Sequence, residues 1–137
     1  MTAPRYMLDT NICVYLRRRR PIQVAHRFAT LERGEAVISA ITYGELLYGA
    51  EKHVERERLL EGVMRLIEFL PVESVPPSAA ALYGQVRAAL ERRGEVIGNQ
   101  DLWIAAHALA AGLTLVTNNE REFRRVPGLQ VENWAAM

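Results

Sequence analysis

Three carboxylates stand alone in the most apolar parts of this sequence. In YMLDTNICVYL (6–16) the single charged side chain is Asp9. In AVISAITYGELLYGA (36–50) it is Glu45, and in VIGNQDLWIAAHALAAGLTLVTNN (96–119), with His107 neutral, it is Asp101. A buried carboxylate without a cap, a proton or a cation costs far more than an ordinary contact returns. Asp9 can cap the helix that follows it, and Asp101 can sit on the dipole of the helix it opens. Glu45, in mid-helix on an apolar element, needs a partner or a proton. Clustered carboxylates raise one another's pKa unless a cation joins them. Oxygen ligands with no Cys or His beside them match Mg²⁺ or Mn²⁺. Such an ion organises phosphates and activates water for in-line attack on phosphorus. Thr10, Asn11, Asn118 and Asn119 offer neutral hydrogen bonds for an attacked phosphate. Asp9 and Asp101 are also the only two aspartates, against 14 glutamates, which points to a need for the shorter side chain. His107 follows Asp101 by six residues, about 240° around a helix, so the two share no face; it reads as a core or surface histidine.

The elements that must hold these groups follow from spacing. Arg5–Leu8 is a short apolar strand that stops at the cap cluster Asp9-Thr10-Asn11. Ile12–Leu16 continues as helix, closed by Arg17–Arg20 and Pro21. Val24, Phe28 and Leu31 place a helix over Pro21–Arg33, with Gly34 as its stop. Ala36–Ser39 is a strand and Ala40–His53 a helix. Glu55–Leu70 is a charged amphipathic helix, Pro71–Ser74 a strand, and Ser78–Arg93 a helix after Pro76-Pro77. Asn99–Ala111 is an apolar helix ending at Gly112, and Leu113–Thr117 is the clearest strand. Glu120–Arg125 gives one helical turn and Leu129–Glu132 a last strand. Short apolar strands alternating with helices imply a parallel sheet covered on both sides. Ligands of such sheets bind beyond the carboxyl ends of the strands, where Asp9 and Asn118-Asn119 both fall.

With 137 residues, half of them apolar, the chain is read as a single domain, 1–137, with one sizeable core. No stretch reaches the roughly 18 uninterrupted apolar residues of a membrane span, and MTAPRYMLDT lacks the layout of a signal peptide. The single cysteine, Cys13, forms no internal disulfide and fits a reducing, cytoplasmic setting; it reads as a small buried hydrophobe. A net charge of +1 announces no global attraction to nucleic acid. Acids at the centre and arginines at the rim reconcile that balance with a phosphate substrate. Arg17–Arg20 is the densest basic cluster, with Arg92-Arg93, Arg121 and Arg124-Arg125 as others, each a phosphate contact or a solvated surface. Trp103 and Trp134 read as core, with base stacking as the alternative.

Taken together, MLDTNI (7–12), SAITYGELLYGAEK (39–52), IGNQDLWIAAHAL (97–109) and LTLVTNNEREFRRVPGLQVENW (113–134) resemble the PIN-domain ribonucleases, and closely the VapC-type toxins of toxin–antitoxin pairs. The four motifs fall in the family's order and spacing over nearly the whole chain. The resemblance implies a PIN-like three-layer α/β/α domain with a short, mainly parallel sheet flanked by helices. It implies a metal-dependent endoribonuclease that cuts RNA, often tRNA or rRNA. Asp9, Glu45 and Asp101 match the family's three acids and would hold one or two divalent ions, Mg²⁺ with Mn²⁺ as substitute. Thr10 and Thr117 match its site threonines. Many PIN domains carry a fourth acid where Asn119 stands, with Glu120 and Glu122 nearby; VapC-type relatives often have Asn there. Family members are usually homodimers. Each is silenced by a cognate VapB-like antitoxin whose tail puts a basic side chain into the acidic site; Tyr43–Tyr48 with Glu55–Leu70 would form its groove. Two other readings stand beside this one. A haloacid-dehalogenase-like phosphatase needs Asp where Asn11 stands, and a non-catalytic PIN-like domain would bind RNA or a partner without cutting.

Overall fold

Strand β1 (Tyr6–Leu8) lies at the centre of the molecule with all three residues buried. The structure, a computed structural model, describes residues 2–136, so the two termini of the expected 1–137 domain lie outside the described residues. After β1 come α1 (Thr10–Arg18), α2 (Ile22–Ala29), β2 (Ala36–Ser39), α3 (Ala40–Glu51), α4 (Arg56–Phe69) and β3 (Val72–Glu73). Then follow α5 (Pro77–Arg92), α6 (Asn99–Ala111), β4 (Thr114–Val116), α7 (Glu120–Phe123) and β5 (Val131–Glu132). Among the described residues five strands form one sheet in the order β3-β2-β1-β4-β5, and every pairing is parallel. The expected three-layer α/β/α arrangement is the one found.

The period-2 alternation of strands assigns the two helical layers. Tyr6 and Leu8 of β1, Ile38 of β2 and Val116 of β4 pack with Ile12, Val24, Leu46 and Val63 from α1 to α4. Met7, Val37 and Leu115 face the other way, onto Val86, Leu102, Ile104 and Phe123 of α5, α6 and α7. Fully burying one such side chain stabilises by about 1.5–3 kcal/mol. A one-residue slip of any strand would exchange its two faces, so register is held firmly.

Both directions of the chain path start at β1. The chain steps from β1 to β2 and β3 on one side, then crosses to β4 and β5 on the other. The strand order therefore reverses between β1 and β4, the position where open α/β sheets take their ligands. Met7 pairs with Leu115 and Leu8 with Val116, which brings Asp9 and Thr117, the residues that follow those strands, side by side.

Several boundaries differ from expectation. Helix α1 runs on to Arg18, because arginine is a good helix former, and ends where Arg19 takes the left-handed conformation at φ 57°. Helix α2 ends at Ala29, not Arg33: the Thr30 hydroxyl donates to the Arg27 carbonyl at 2.7 Å and the chain turns out of the helix. Pro77 starts α5 one residue early, its missing N–H being harmless in the first turn. Strands β1, β3, β4 and β5 are each one or two residues shorter than read.

Candidate active site

Asp9 is both the residue after β1 and the N-cap of α1, so its position is fixed twice. Its Oδ1 accepts the Ile12 N–H at 3.0 Å and its Oδ2 accepts the Thr117 hydroxyl at 2.5 Å. Only 5 % of its surface is exposed, and burial pushes the carboxyl above the usual aspartate range, with the nearby Glu45 carboxylate adding to the rise. The Thr117 and Ile12 hydrogen bonds oppose that rise by favouring the ionised form.

Glu45 reaches the same place from α3. That helix is launched from the end of β2 by Ser39, whose hydroxyl accepts the Ile41 N–H at 3.1 Å. The Thr10 hydroxyl donates to Glu45 Oε1 at 2.6 Å. The partner that mid-helix Glu45 needs is thus a neutral one. Thr10 is spent on it rather than left free for a phosphate.

Asp101 comes from the first turn of α6, opposite the α1–α4 layer, and is half-buried. Its carboxyl is pushed up to about 6, first by burial and then by the negative fields of Asp9, Glu45 and Glu122. Every influence on this group has the same sign. None of the three acids makes an ion pair among the described residues. The chain brings its three lone carboxylates to one end of the sheet, with no cation ion-paired to them among the described residues.

A fourth carboxylate stands near the position that Asn119 takes in place of the family's fourth acid. Glu122 on α7 adds to the field on Asp101, and Asn119 holds it, donating from Nδ2 to Glu122 Oε2 at 3.0 Å. The Asn119 backbone N–H also donates to Thr117 Oγ1 at 2.9 Å. Asn119 thus ties Glu122 and Thr117 to the same turn. Glu120, by contrast, is paired with Arg124 at 2.8 Å and accepts a hydrogen bond from Asn133 Nδ2. Asn118 donates to the Tyr15 hydroxyl at 2.8 Å, and Asn11 is exposed beside Asp9.

Among the described residues no group of three or more Asp, Glu, His or Cys side chains is gathered tightly enough to hold an ion as it stands. The acids share a field rather than a closed cage: both Asp9 oxygens and one Glu45 oxygen are already hydrogen-bonded. Donor chemistry still fits a hard divalent ion, being all oxygen, uncompensated and placed at the strand-order reversal.

Other residues singled out from sequence lie elsewhere. His107 is buried, its Nδ1 2.8 Å from Ser39 Oγ, and Cys13 is a buried hydrophobe whose thiol is pushed up by burial. Trp134 packs edge-on against Tyr6 in the core, whereas Trp103 is partly exposed and stacks on Tyr83 at 3.9 Å between ring centres.

A family model described as PIN domain matches residues 6–129. Ribonuclease VapC2 of Haemophilus influenzae is 44 % identical over 130 residues, spanning 95 % of this chain and 98 % of that protein. The tRNA(fMet)-specific endonuclease VapC of Shigella flexneri is 44 % identical over 131 residues, with 96 % and 98 % covered. Among solved structures, DNA-bound VapBC from Salmonella typhimurium superposes with a TM-score of 0.90 at 44 % identity, covering 96 % of this chain and 98 % of that one.

Proposed function

The chain belongs to the PIN-domain family, and from that premise we propose that it is a VapC-type toxin: an endoribonuclease that hydrolyses RNA phosphodiester bonds with the help of Mg²⁺ or Mn²⁺. Its RNA is tRNA or rRNA, in line with a relative named as a tRNA(fMet)-specific endonuclease. A cognate VapB-like antitoxin neutralises it, in line with the VapBC likeness. We further propose a cytoplasmic homodimer in which residues 1–137 form one PIN domain. No helix among the described residues is long and apolar enough to cross a membrane.

The observation that carries the reading is the convergence of Asp9, Glu45 and Asp101, from three elements, into one field with no basic partner. These three residues would hold the divalent ion. The chemistry such an ion would supply is charge neutralisation of the acids and the scissile phosphate and a more acidic water. The rest is done by the chain. Thr117 and the Ile12 N–H aim the Asp9 carboxylate and favour its ionised form against burial, and Thr10 orients one oxygen of Glu45. Asn119 fixes Glu122, whose charge favours a cation beside Asp101. Burial of Asp9 keeps water from competing for its oxygens.

The test is cleavage of total cellular RNA by antitoxin-free protein with Mg²⁺, Mn²⁺ or EDTA, alongside Asp9→Asn and Asp101→Asn. Discrete metal-dependent fragments, absent from both variants, are expected. Persistent cleavage in EDTA, or full activity in either variant, would remove the acidic centre from the reaction.

A further inference from the structure

Thr42 is fully buried in the first turn of α3. Among the described residues it is the one buried side chain whose polar atom has no hydrogen-bond partner. The other buried polar side chains are all paired: Asp9 with Thr117 and the Ile12 N–H, and Ser39 with His107 and the Ile41 N–H. A buried hydroxyl without a partner loses its bonds to water and gains none in return. Folded proteins keep few such atoms, and each asks for a reason. Valine would fill nearly the same volume at no polar cost. Nor does the hydroxyl stitch the fold. A threonine inside a helix can bond back to the carbonyl four residues earlier, here that of Ile38, and Thr42 makes no such bond.

Its position points to Glu45. The two are three residues apart on α3, neighbours on the helix surface with Cβ atoms about 5–6 Å apart. Helical side chains lean toward the N-terminus, so Glu45 leans over the turn that contains Thr42. Glu45 is held at one oxygen only: Thr10 donates to its Oε1 at 2.6 Å, and its Oε2 has no hydrogen bond among the described residues. Helix α3 packs against both α1 and α6, the helices that bring Thr10 and Asp101 to the centre. The unpaired donor and the half-held acid thus share one helical turn. Sequence reading gave Thr42 no role, because an unpaired hydroxyl has no mark in local sequence.

We propose that Thr42 is a positioning residue for Glu45: with a divalent ion among the acids, its hydroxyl donates to Glu45 Oε2. Thr10 from α1 and Thr42 from α3 then hold one oxygen each. A carboxylate oxygen has two acceptor sites, so both oxygens keep a lone pair for the ion. The metal-free protein carries the cost of the unpaired hydroxyl, and loading relieves it, which adds the new bond to the affinity for the ion. The inference rests on the metal-dependent ribonuclease reading of the centre, and adds to it a residue that acts through Glu45.

The test compares Thr42→Val and Thr42→Ser with wild type by urea unfolding in EDTA and by calorimetric titration of Mn²⁺ into the metal-stripped protein. Thr42→Val is expected to raise the urea midpoint, since it removes a buried unpaired group. It is expected to weaken Mn²⁺ binding about 10-fold, as for other residues that orient a ligand. Thr42→Ser should keep most of the affinity. A hydroxyl that serves only the fold would instead lower the urea midpoint when removed and leave the affinity alone. Unchanged Mn²⁺ affinity in Thr42→Val would therefore overturn the proposal. Equal losses in the valine and serine variants would overturn it too, by making shape rather than the hydroxyl the cause. RNA cleavage with Mn²⁺, run in parallel, separates this inference from the ribonuclease reading. Hydroxyl-dependent Mn²⁺ binding without any cleavage keeps the role of Thr42 and removes the nuclease; cleavage with unchanged affinity in Thr42→Val does the reverse.

Discussion

The Thr117 hydroxyl donates to Asp9 Oδ2 at 2.5 Å across 108 residues of sequence, and so joins the ends of β1 and β4 where the strand order reverses. Both side chains are buried. The hydroxyl stabilises the ionised carboxylate, opposing the larger effect of burial. Thr117→Val, nearly isosteric, keeps the packing and removes the donor. Asp9 should then hold its proton to higher pH, and Mn²⁺ affinity measured by titration calorimetry should fall about 10- to 100-fold, as for other residues that orient a ligand. Thr117→Ser should retain most of the affinity. An unchanged Mn²⁺ affinity in the valine variant would show that the bond only joins strands.

Asp101 bears three negative fields and no opposing one. At neutral pH the metal-free protein holds it ionised against burial and repulsion, and its pKa of about 6 lies well above the usual aspartate range. A carboxyl raised in this way contributes stability below its unfolded pKa that is lost as pH rises through the folded one. Asp101→Asn should therefore raise the Tm of the EDTA-treated protein at pH 7.5 by a few degrees, with little gain at pH 4, while abolishing cleavage. That pairing of higher stability with lost activity marks a strained site. A lower Tm at pH 7.5 would mean that Asp101 is held by contacts rather than opposed by charge.

The parts of the fold that could be read in advance have a signal within a few residues. Strand β2 and helix α6 have the expected bounds because Ser39 caps the next helix and Gly112, at φ 68°, closes the last one. Helix α2 was read too long because Leu31 continues its apolar spacing, while the Thr30–Arg27 bond that ends it is a local competition invisible in periodicity. Asp9, Glu45 and Asp101 were legible because each is the sole charge in an apolar window. Glu122 sits in a segment dense in both signs, where only the tertiary partners decide which charge is spent. Glu120 has Arg124, whereas Glu122 has only the Asn119 amide. Thr10 was read as a free donor because its bond to Glu45, 35 residues away, leaves no trace in local sequence.

His107 couples α6 to β2 through Ser39, the N-cap of the helix that carries Glu45. Burial pushes its pKa below the usual histidine range, with Glu73 pulling the other way. A histidine buried in its neutral form adds stability above its unfolded pKa that is lost as pH falls below that value and through the lower folded pKa. Urea unfolding in EDTA should thus show the stability advantage of wild type over His107→Phe shrinking between pH 7.5 and 5. The carboxylates change wild type and variant alike and cancel in the difference. A constant difference across that range would mean that His107 is charged, or solvated, in the folded protein.

Glu120 and Glu122 are two residues apart, equal in charge, and opposite in what surrounds them. Arg124 and Asn133 hold Glu120, whose carboxyl is lowered by those partners, so Glu120→Gln should remove a surface pair worth about 0.5 kcal/mol and leave cleavage as it was. Glu122 faces Asp101 with no cation of its own, so Glu122→Gln should lower the Asp101 pKa and weaken Mn²⁺ binding several-fold. Asn119→Ala should reproduce part of that loss by freeing Glu122 from its anchor, and Asn119→Asp, which adds a carboxylate beside it, should not. Calorimetric titration of Mn²⁺ into the four variants gives the ordering directly. Equal affinities for Glu120→Gln and Glu122→Gln would mean that the acidic centre ends at Asp101.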